Sequence, residues 1–107
     1  MPVVTVVSRA SGRFKCRSRL RLATEARLQF DPRSGVYLLV CAERGLVLND
    51  AAAAIVELCD GSRSVVGIAK RVAKRFNAAP SFALVSEVRD CLRDLARRGL
   101  LDVVEIA

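Results

Sequence analysis

The chain contains no histidine. That removes imidazole as a general base, as the partner of a nucleophilic serine and as a zinc ligand. Its four cysteines, Cys16, Cys41, Cys59 and Cys91, stand 25, 18 and 32 residues apart, so no C-x-x-C pair can clamp a metal or an iron–sulfur cluster locally. They read as small buried hydrophobes, with Cys59 and Cys91 falling inside apolar helical patterns. A long apolar run is also missing. The N-terminal stretch Val3 to Val7, interrupted by Thr5, is far shorter than a signal or membrane segment, so a cytoplasmic location is expected and a disulfide framework is not. No repeat and no low-complexity segment is visible.

What is present fits one small domain. The 107 residues are 52% hydrophobic and 27% charged, close to ordinary globular usage. A core of that size leaves little room for a deep cavity, so binding on a surface groove is expected. No residue pair suggests an activated nucleophile or a carboxylate dyad, and the chain reads as a non-enzyme without a cofactor.

The charge is unevenly spread. Residues 1–22 hold Arg9, Arg13, Lys15, Arg17, Arg19 and Arg21 and no acid, and so supply +6 of the formal net charge of +7. They also contain three serines, a composition shared with organelle transit peptides. The stretch reads either as a solvated basic tail or as an edge strand with one basic face, preceding a domain over residues 23–107.

From residue 23 onward periodicities are readable. Ala26 to Phe30 alternates apolar and polar, Asp31-Pro32-Arg33-Ser34-Gly35 has turn chemistry, and Val36 to Val40 is rich in strand formers, which predicts a hairpin. A break at residues 42–45 precedes a short third strand, Leu46 to Leu48. Asn49 is an N-cap candidate for a helix reaching about Leu58, and Asp60-Gly61 ends it. Ser64 caps a second helix with Val65, Ile68, Ala69, Val72 and Phe76 at amphipathic spacing, ending at Asn77. Ser81 starts a third, with Leu84, Val85, Val88, Cys91, Leu92 and Leu95 as its core stripe and Gly99 as its stop. Residues 100–106 read as a last short strand or a loose end. The expected class is α+β: a winged helix-turn-helix-like fold, a three-stranded antiparallel sheet followed by three helices.

Arg27-Leu28-Gln29-Phe30-Asp31, Leu38-Leu39-Val40, Val47-Leu48-Asn49-Asp50-Ala51-Ala52 and Leu58-Cys59-Asp60-Gly61 resemble the succession seen in the PqqD proteins of pyrroloquinoline quinone biosynthesis. Val65-Val66-Gly67-Ile68, then Glu87-Val88, Leu92, Leu95 and Gly99-Leu100-Leu101 continue the likeness, which spans residues 20–101. The resemblance implies a peptide chaperone of the RiPP recognition element type. Such a protein binds a ribosomally made precursor peptide and presents it to a radical S-adenosylmethionine enzyme, doing no chemistry itself. The basic lead-in of residues 1–19 is not part of that pattern.

An extended peptide can add to a free sheet edge as a further strand. The resemblance places it between the third strand and the third helix, which maps onto Gly45, Leu46, Val47 and Leu48 and onto Val85, Arg89, Leu92 and Ala96, one continuous helical face. Only part of the strand can reach the groove, because Val47 points opposite to Leu46 and Leu48. Val85 and Leu92 also fit a plain core role, and Arg89, Arg93 and Arg97 form a basic row beside Glu87, Asp90 and Asp94. Val3 to Val7 or a second subunit can compete for the edge, so monomer and homodimer both stay open. The alternative function is DNA binding by the helix pair of residues 64–98, with the basic lead-in on phosphate. The exposed acids on helix three and its lack of Asn or Gln weigh against that alternative.

Overall fold

The computed structural model describes residues 5–106. The hairpin expected from alternation is present as β3 (Ala26–Asp31) and β4 (Val36–Cys41), paired antiparallel from Ala26–Cys41 to Asp31–Val36. Its turn is fixed locally: the Asp31 carboxylate accepts from the Arg33 N–H and the Ser34 hydroxyl, and Gly35 takes φ +71°. A two-residue turn at Ala42-Glu43, with Ala42 at φ 55°, leads into β5 (Arg44–Leu48), which pairs only with β4 among the described residues.

Each helix opens on the cap read from the sequence. Asn49 accepts from the Ala52 N–H at the start of α1 (Asp50–Glu57), Ser64 from Gly67 at α2 (Val65–Arg75), and Ser81 from Leu84 at α3 (Phe82–Arg97). Two helices close in Schellman motifs. After α2, Asn77 at φ 54° donates to the Lys74 carbonyl, and Ala78 donates to Ala73. After α3, Gly99 at φ +75° donates to Ala96, and Leu100 donates to Leu95, bringing two buried leucines together.

The main departure from expectation is a second sheet. Beside the three-stranded sheet β3-β4-β5 lies a four-stranded antiparallel one in the order β1-β7-β2-β6, built from β1 (Thr5–Arg9), β2 (Arg19–Leu22), β6 (Asp60–Ser64) and β7 (Leu101–Ile106). The fold is therefore mixed α/β with three helices and two antiparallel sheets, not one sheet followed by helices. Strand β2 is interior, between β7 and β6, and neither a tail nor an edge. Its Leu20 is fully buried, as is Leu101 on β7. Strand β6 has the sequence Asp-Gly-Ser-Arg-Ser, which no strand propensity would select. Partners hold it instead: it pairs with β2, and Gly61 at φ +86° lets the backbone approach β7, where a Cβ would stand 3.2 Å from a Val104 methyl.

The core is continuous between the layers, from Leu39 and Leu48 under the three-stranded sheet, through Ile55, Ile68, Val72, Val88 and Leu92 of the helices, to Leu20 and Leu101. Of the four cysteines only Cys59 is buried, where its thiol donates to the Ile55 carbonyl. Cys16, Cys41 and Cys91 are half-exposed, contrary to the reading of all four as core.

One guanidinium joins four segments. Arg9 on β1 pairs through Nε with Asp102 on β7 (2.8 Å) and through Nη2 with Glu25 before β3 (2.6 Å), and its Nη1 donates to the Gly99 carbonyl at the end of α3. Asp102, only 7% exposed, also faces Arg21 on β2 at 3.8 Å. The Arg9 hydrogen bond holds the Glu25 carboxyl below its ordinary pKa. The Ser34 hydroxyl does the same for Asp31, and the Ser62 hydroxyl for Asp60.

Two outcomes follow for stability. Leu20→Ala should cost about 2–5 kcal/mol, because a fully buried side chain of an integral strand is removed, and chemical denaturation will measure it. A loss under about 0.5 kcal/mol, the range of ordinary surface changes, would show that β2 is dispensable. The three carboxylates with depressed pKa stabilise the fold fully above their unfolded values, and that contribution vanishes as pH falls through the lower folded values. The melting temperature should therefore hold steady from neutral pH to about pH 5 and fall below about pH 4, with Glu25→Gln flattening that fall.

Candidate functional site

Strand β5 offers a row of backbone groups. A two-residue turn makes Cys41 and Arg44 a mutually hydrogen-bonded pair, and alternation then makes Leu39–Leu46 and Tyr37–Leu48 the next such pairs. The N–H and C=O groups of Gly45 and Val47 consequently point away from β4, along the outer edge of the sheet. Side chains alternate with them: Leu48 is buried, Leu46 half-buried against the core, and Val47 stands 64% exposed on the opposite face. Leu46 thus faces inward at the edge, Gly45 and Val47 direct backbone groups outward, and Leu48 is core.

Beyond the end of β5, the start of α1 from Asn49, Val72 of α2 and one flank of α3 enclose a cleft of about 190 Å³. Asn49, Ala52 and Ile55 line one wall, and Leu84, Glu87 and Cys91 the other. The volume suits one or two side chains better than a small-molecule ligand, which ordinarily occupies some 300–1,000 Å³. Its lining is mostly apolar, with the Asn49 amide and the Glu87 carboxylate as the polar groups.

The helix residues chosen from the sequence are not at this cleft. Leu92 and Ala96 are buried in the core, at 0% and 2% exposure. Val85 turns to the other side, where it shares a separate apolar cleft with Val66, Ala69 and Phe82 between α2 and α3. Arg89 is half-buried, with its Nε enclosed and without a hydrogen-bond partner. At about 100° per residue, positions 84, 87 and 91 fall on one flank of the core stripe and 85, 89 and 93 on the other. The sequence reading placed Leu84 and Cys91 in the core stripe. Their partial exposure arises because α1 ends in small alanines at its N-terminal turn and cannot cover them. Glu87, part of the family pattern and of the charged face of the helix, also lines this cleft.

Thr5–Arg9 pairs with β7 and not with β5; Val3 and Val4 lie outside the described residues. Among the described residues no group of three or more His, Cys, Asp or Glu side chains could hold a metal ion, and no helix is long and apolar enough to cross a membrane. Glu87, Asp90 and Asp94 are all exposed on α3, which disfavours phosphate on that helix.

The family model for coenzyme PQQ synthesis protein D (PqqD) matches residues 30–101. The chain belongs to the PqqD family. It is 35% identical over 88 residues to the PqqA binding protein of Rhizobium meliloti (strain 1021), covering 82% of this chain and 89% of that protein. It is 34% identical over 84 residues to the PqqA binding protein of Bradyrhizobium diazoefficiens, covering 78% and 81%. The solution structure of the PqqD truncation of Methylobacterium extorquens PqqCD, described as a functional stand-alone RiPP recognition element, superposes with a TM-score of 0.72 at 28% identity, over 85% of this chain and 96% of that one. The PqqD match begins at Phe30, at the end of β3, so β1 and β2 lie outside it.

Burial pushes the Cys59 thiol up to about 12, and it also raises that of Cys91 in the cleft wall. In the native protein Cys59 should therefore resist iodoacetamide at about pH 8 while denaturant exposes it, read by mass spectrometry of the labelled peptides. Stoichiometric native labelling of Cys59 would mean that α1 opens readily.

Proposed function

We propose that this chain is a peptide chaperone of coenzyme PQQ synthesis. It takes a ribosomally made precursor peptide as an added strand on the outer edge of β5 and presents it to a radical S-adenosylmethionine enzyme, itself performing no chemistry. The observation that carries this reading is the pair of outward-facing backbone units at Gly45 and Val47 on the edge of β5, with a cleft sized for a side chain lined from Asn49, the residue that follows the strand. Backbone pairing supplies affinity without demanding a sequence, and the cleft then selects at alternate positions of the guest. The names of the relatives, PqqA binding proteins, and the description of the M. extorquens domain as a RiPP recognition element support the same reading.

The binding set is accordingly revised to the backbone of Gly45 and Val47, the side chain of Leu46, and Leu84, Glu87 and Cys91 on α3. One cation on the guest would satisfy Glu87, since that carboxylate is the charged group in the cleft wall. A presenting chaperone must also release its cargo, so affinity in the micromolar range or somewhat tighter is expected.

Val47→Pro tests the strand-addition step. The Val47 N–H takes no part in the β4 ladder, so proline there deletes an outward donor on an edge strand, where proline is tolerated. The expected result is a folded protein whose affinity for the precursor peptide, measured by calorimetry, falls about tenfold or more, as the lost hydrogen bond and the ring's obstruction combine. In the parent protein, amide shifts on titration with peptide should cluster at residues 44–49 and 84–91. Unchanged affinity in the folded variant, or shifts confined to the cleft of Val66, Ala69 and Val85, would place the peptide elsewhere.

A further inference from the structure

We infer that the connection between β1 and β2 forms a binding site for a small organic phosphate monoester, separate from the strand edge and independent of the peptide reading. Strands β1 and β2 pair antiparallel with β7 on its two sides. They therefore run parallel to each other, and residues 10–18 must cross over β7 to join them. Both ends of the crossing are pinned: the Ala10 N–H donates to the Leu101 carbonyl at 3.0 Å, and Leu20 is fully buried. Between the crossing segment, the end of β1 and Val103 of β7 lies a cleft of about 340 Å³.

Hydrogen-bond donors dominate the lining. Arg13, Lys15, Ser8, Ser11 and Ser18 contribute to it, and no carboxylate does. Arg9 stands in the wall as well, but Asp102, Glu25 and the Gly99 carbonyl already engage its three nitrogens, so the cationic donors left for a ligand are Arg13 and Lys15. The Lys15 N–H donates to the Ser18 hydroxyl oxygen (3.0 Å) and the Ser18 N–H to the Lys15 carbonyl (2.9 Å), a turn that keeps these two residues together. Having accepted that bond, the Ser18 hydroxyl still has its own proton to donate.

Such a wall calls for a ligand rich in acceptors. A carboxylate offers two oxygens in one plane, whereas a tetrahedral phosphoryl group offers three, which donors from the end of β1 and from the Lys15–Ser18 turn can share. The volume lies at the lower end of small-molecule sites, some 300–1,000 Å³, and so holds more than the phosphoryl group. Phe14 and Val103, both half-buried, give the organic remainder an apolar surface. Arginines without an ion pair occur elsewhere among the described residues, as at Arg27, Arg33 and Arg44; two cations and three hydroxyls converging on one cleft mark this place. The cleft of Arg17, Arg19 and Arg63 beside α2 differs, since Arg63 and the Ser62 hydroxyl are bound to Asp60, whose charge opposes an anion there.

The test titrates the full chain with AMP as a representative monoester, and with adenosine and inorganic phosphate as its two halves, reading amide shifts by NMR at constant ionic strength. AMP should saturate one site with a Kd of about 1 mM or tighter, with shifts clustered at residues 8–18 and at 103, and each half should bind at least about tenfold more weakly. Arg13→Gln with Lys15→Gln, both exposed, should weaken AMP about tenfold or more, and Ser11→Ala about threefold. Arg17→Gln with Arg19→Gln removes the same charge from outside this cleft and should change affinity by no more than about twofold. Circular dichroism verifies folding. No saturation up to about 10 mM AMP overturns the proposal. Equal weakening by the two double variants also overturns it, by reducing the binding to diffuse charge, and so does adenosine or inorganic phosphate binding as tightly as AMP. Because the titration contains no peptide, its failure leaves the chaperone reading untouched, and failure of peptide to bind β5 leaves this site untouched.

Discussion

The placement of β7 between β1 and β2 governs what this molecule can offer to others. Over residues 102–104 β7 is paired on both sides within the sheet, and an N-terminal strand pairing with β7 is an N-terminal strand not pairing with β5. Three features hold β7 there: Leu101, fully buried and joined to α3 through the Leu95–Leu100 closure; Asp102, fixed beneath Arg9 and Arg21; and Gly61, whose missing Cβ lets β6 close over β2. Because Arg9 also reaches the Gly99 carbonyl, the orientation of α3 is tied to the same network. The four-stranded sheet thus acts as a mount that holds one helix at a fixed angle and leaves the opposite sheet with an open rim.

The cleft between α1 and α3 follows from a size mismatch. The first turn of α1 is Asp-Ala-Ala-Ala, whose small side chains cannot fill the space that the longer α3 spans, so Leu84 and Cys91 stay partly uncovered while Val88 and Leu92 of the same helix are sealed. Alanine also costs least in helix propensity, so a short helix can persist there with few large contacts. Its energy comes from its inner residues, Ile55 and Val56, and from the Asn49 cap. A larger residue at position 52 would improve packing and close the cleft, which in the proposed binding mode sets stability against binding.

Much of the architecture was legible because local chemistry and tertiary structure agree. Asn49, Ser64 and Ser81 cap the helices they were expected to cap, Asn77 and Gly99 end two of them, and the Asp31–Gly35 turn makes the hairpin. The second sheet was hidden for the opposite reason. Nothing in Asp60-Gly61-Ser62-Arg63-Ser64 favours a strand, and β2 alternates arginine with leucine in a way that fits an edge as well as an interior position once long-range partners are unknown. The flank of α3 that lines the cleft differs from the face chosen from the sequence by a rotation of the helix. Period alone identifies a stripe, but which border of the stripe stays open depends on the neighbour's bulk, and the alanines of α1 decide it.

An open strand edge is a hazard as well as a resource, since it can pair with a second copy as readily as with cargo. Several properties of β5 reduce that risk without closing the edge. It is five residues long, too short for an extensive ladder; Arg44 stands at its start; and Gly45 in its interior weakens any strand that would form on backbone bonds alone. Two copies meeting edge to edge would each bring a net charge of +7, and like charge slows such encounters. A guest peptide faces neither obstacle to the same degree, because it can set its own side chains into the Leu84–Cys91 cleft and a cation against Glu87, contacts that a second β5, whose inward residues are already committed to the core, cannot supply. In the proposed binding mode the preference for cargo over self lies in the cleft rather than in the strand, and the strand's modest pairing strength is what lets that preference decide.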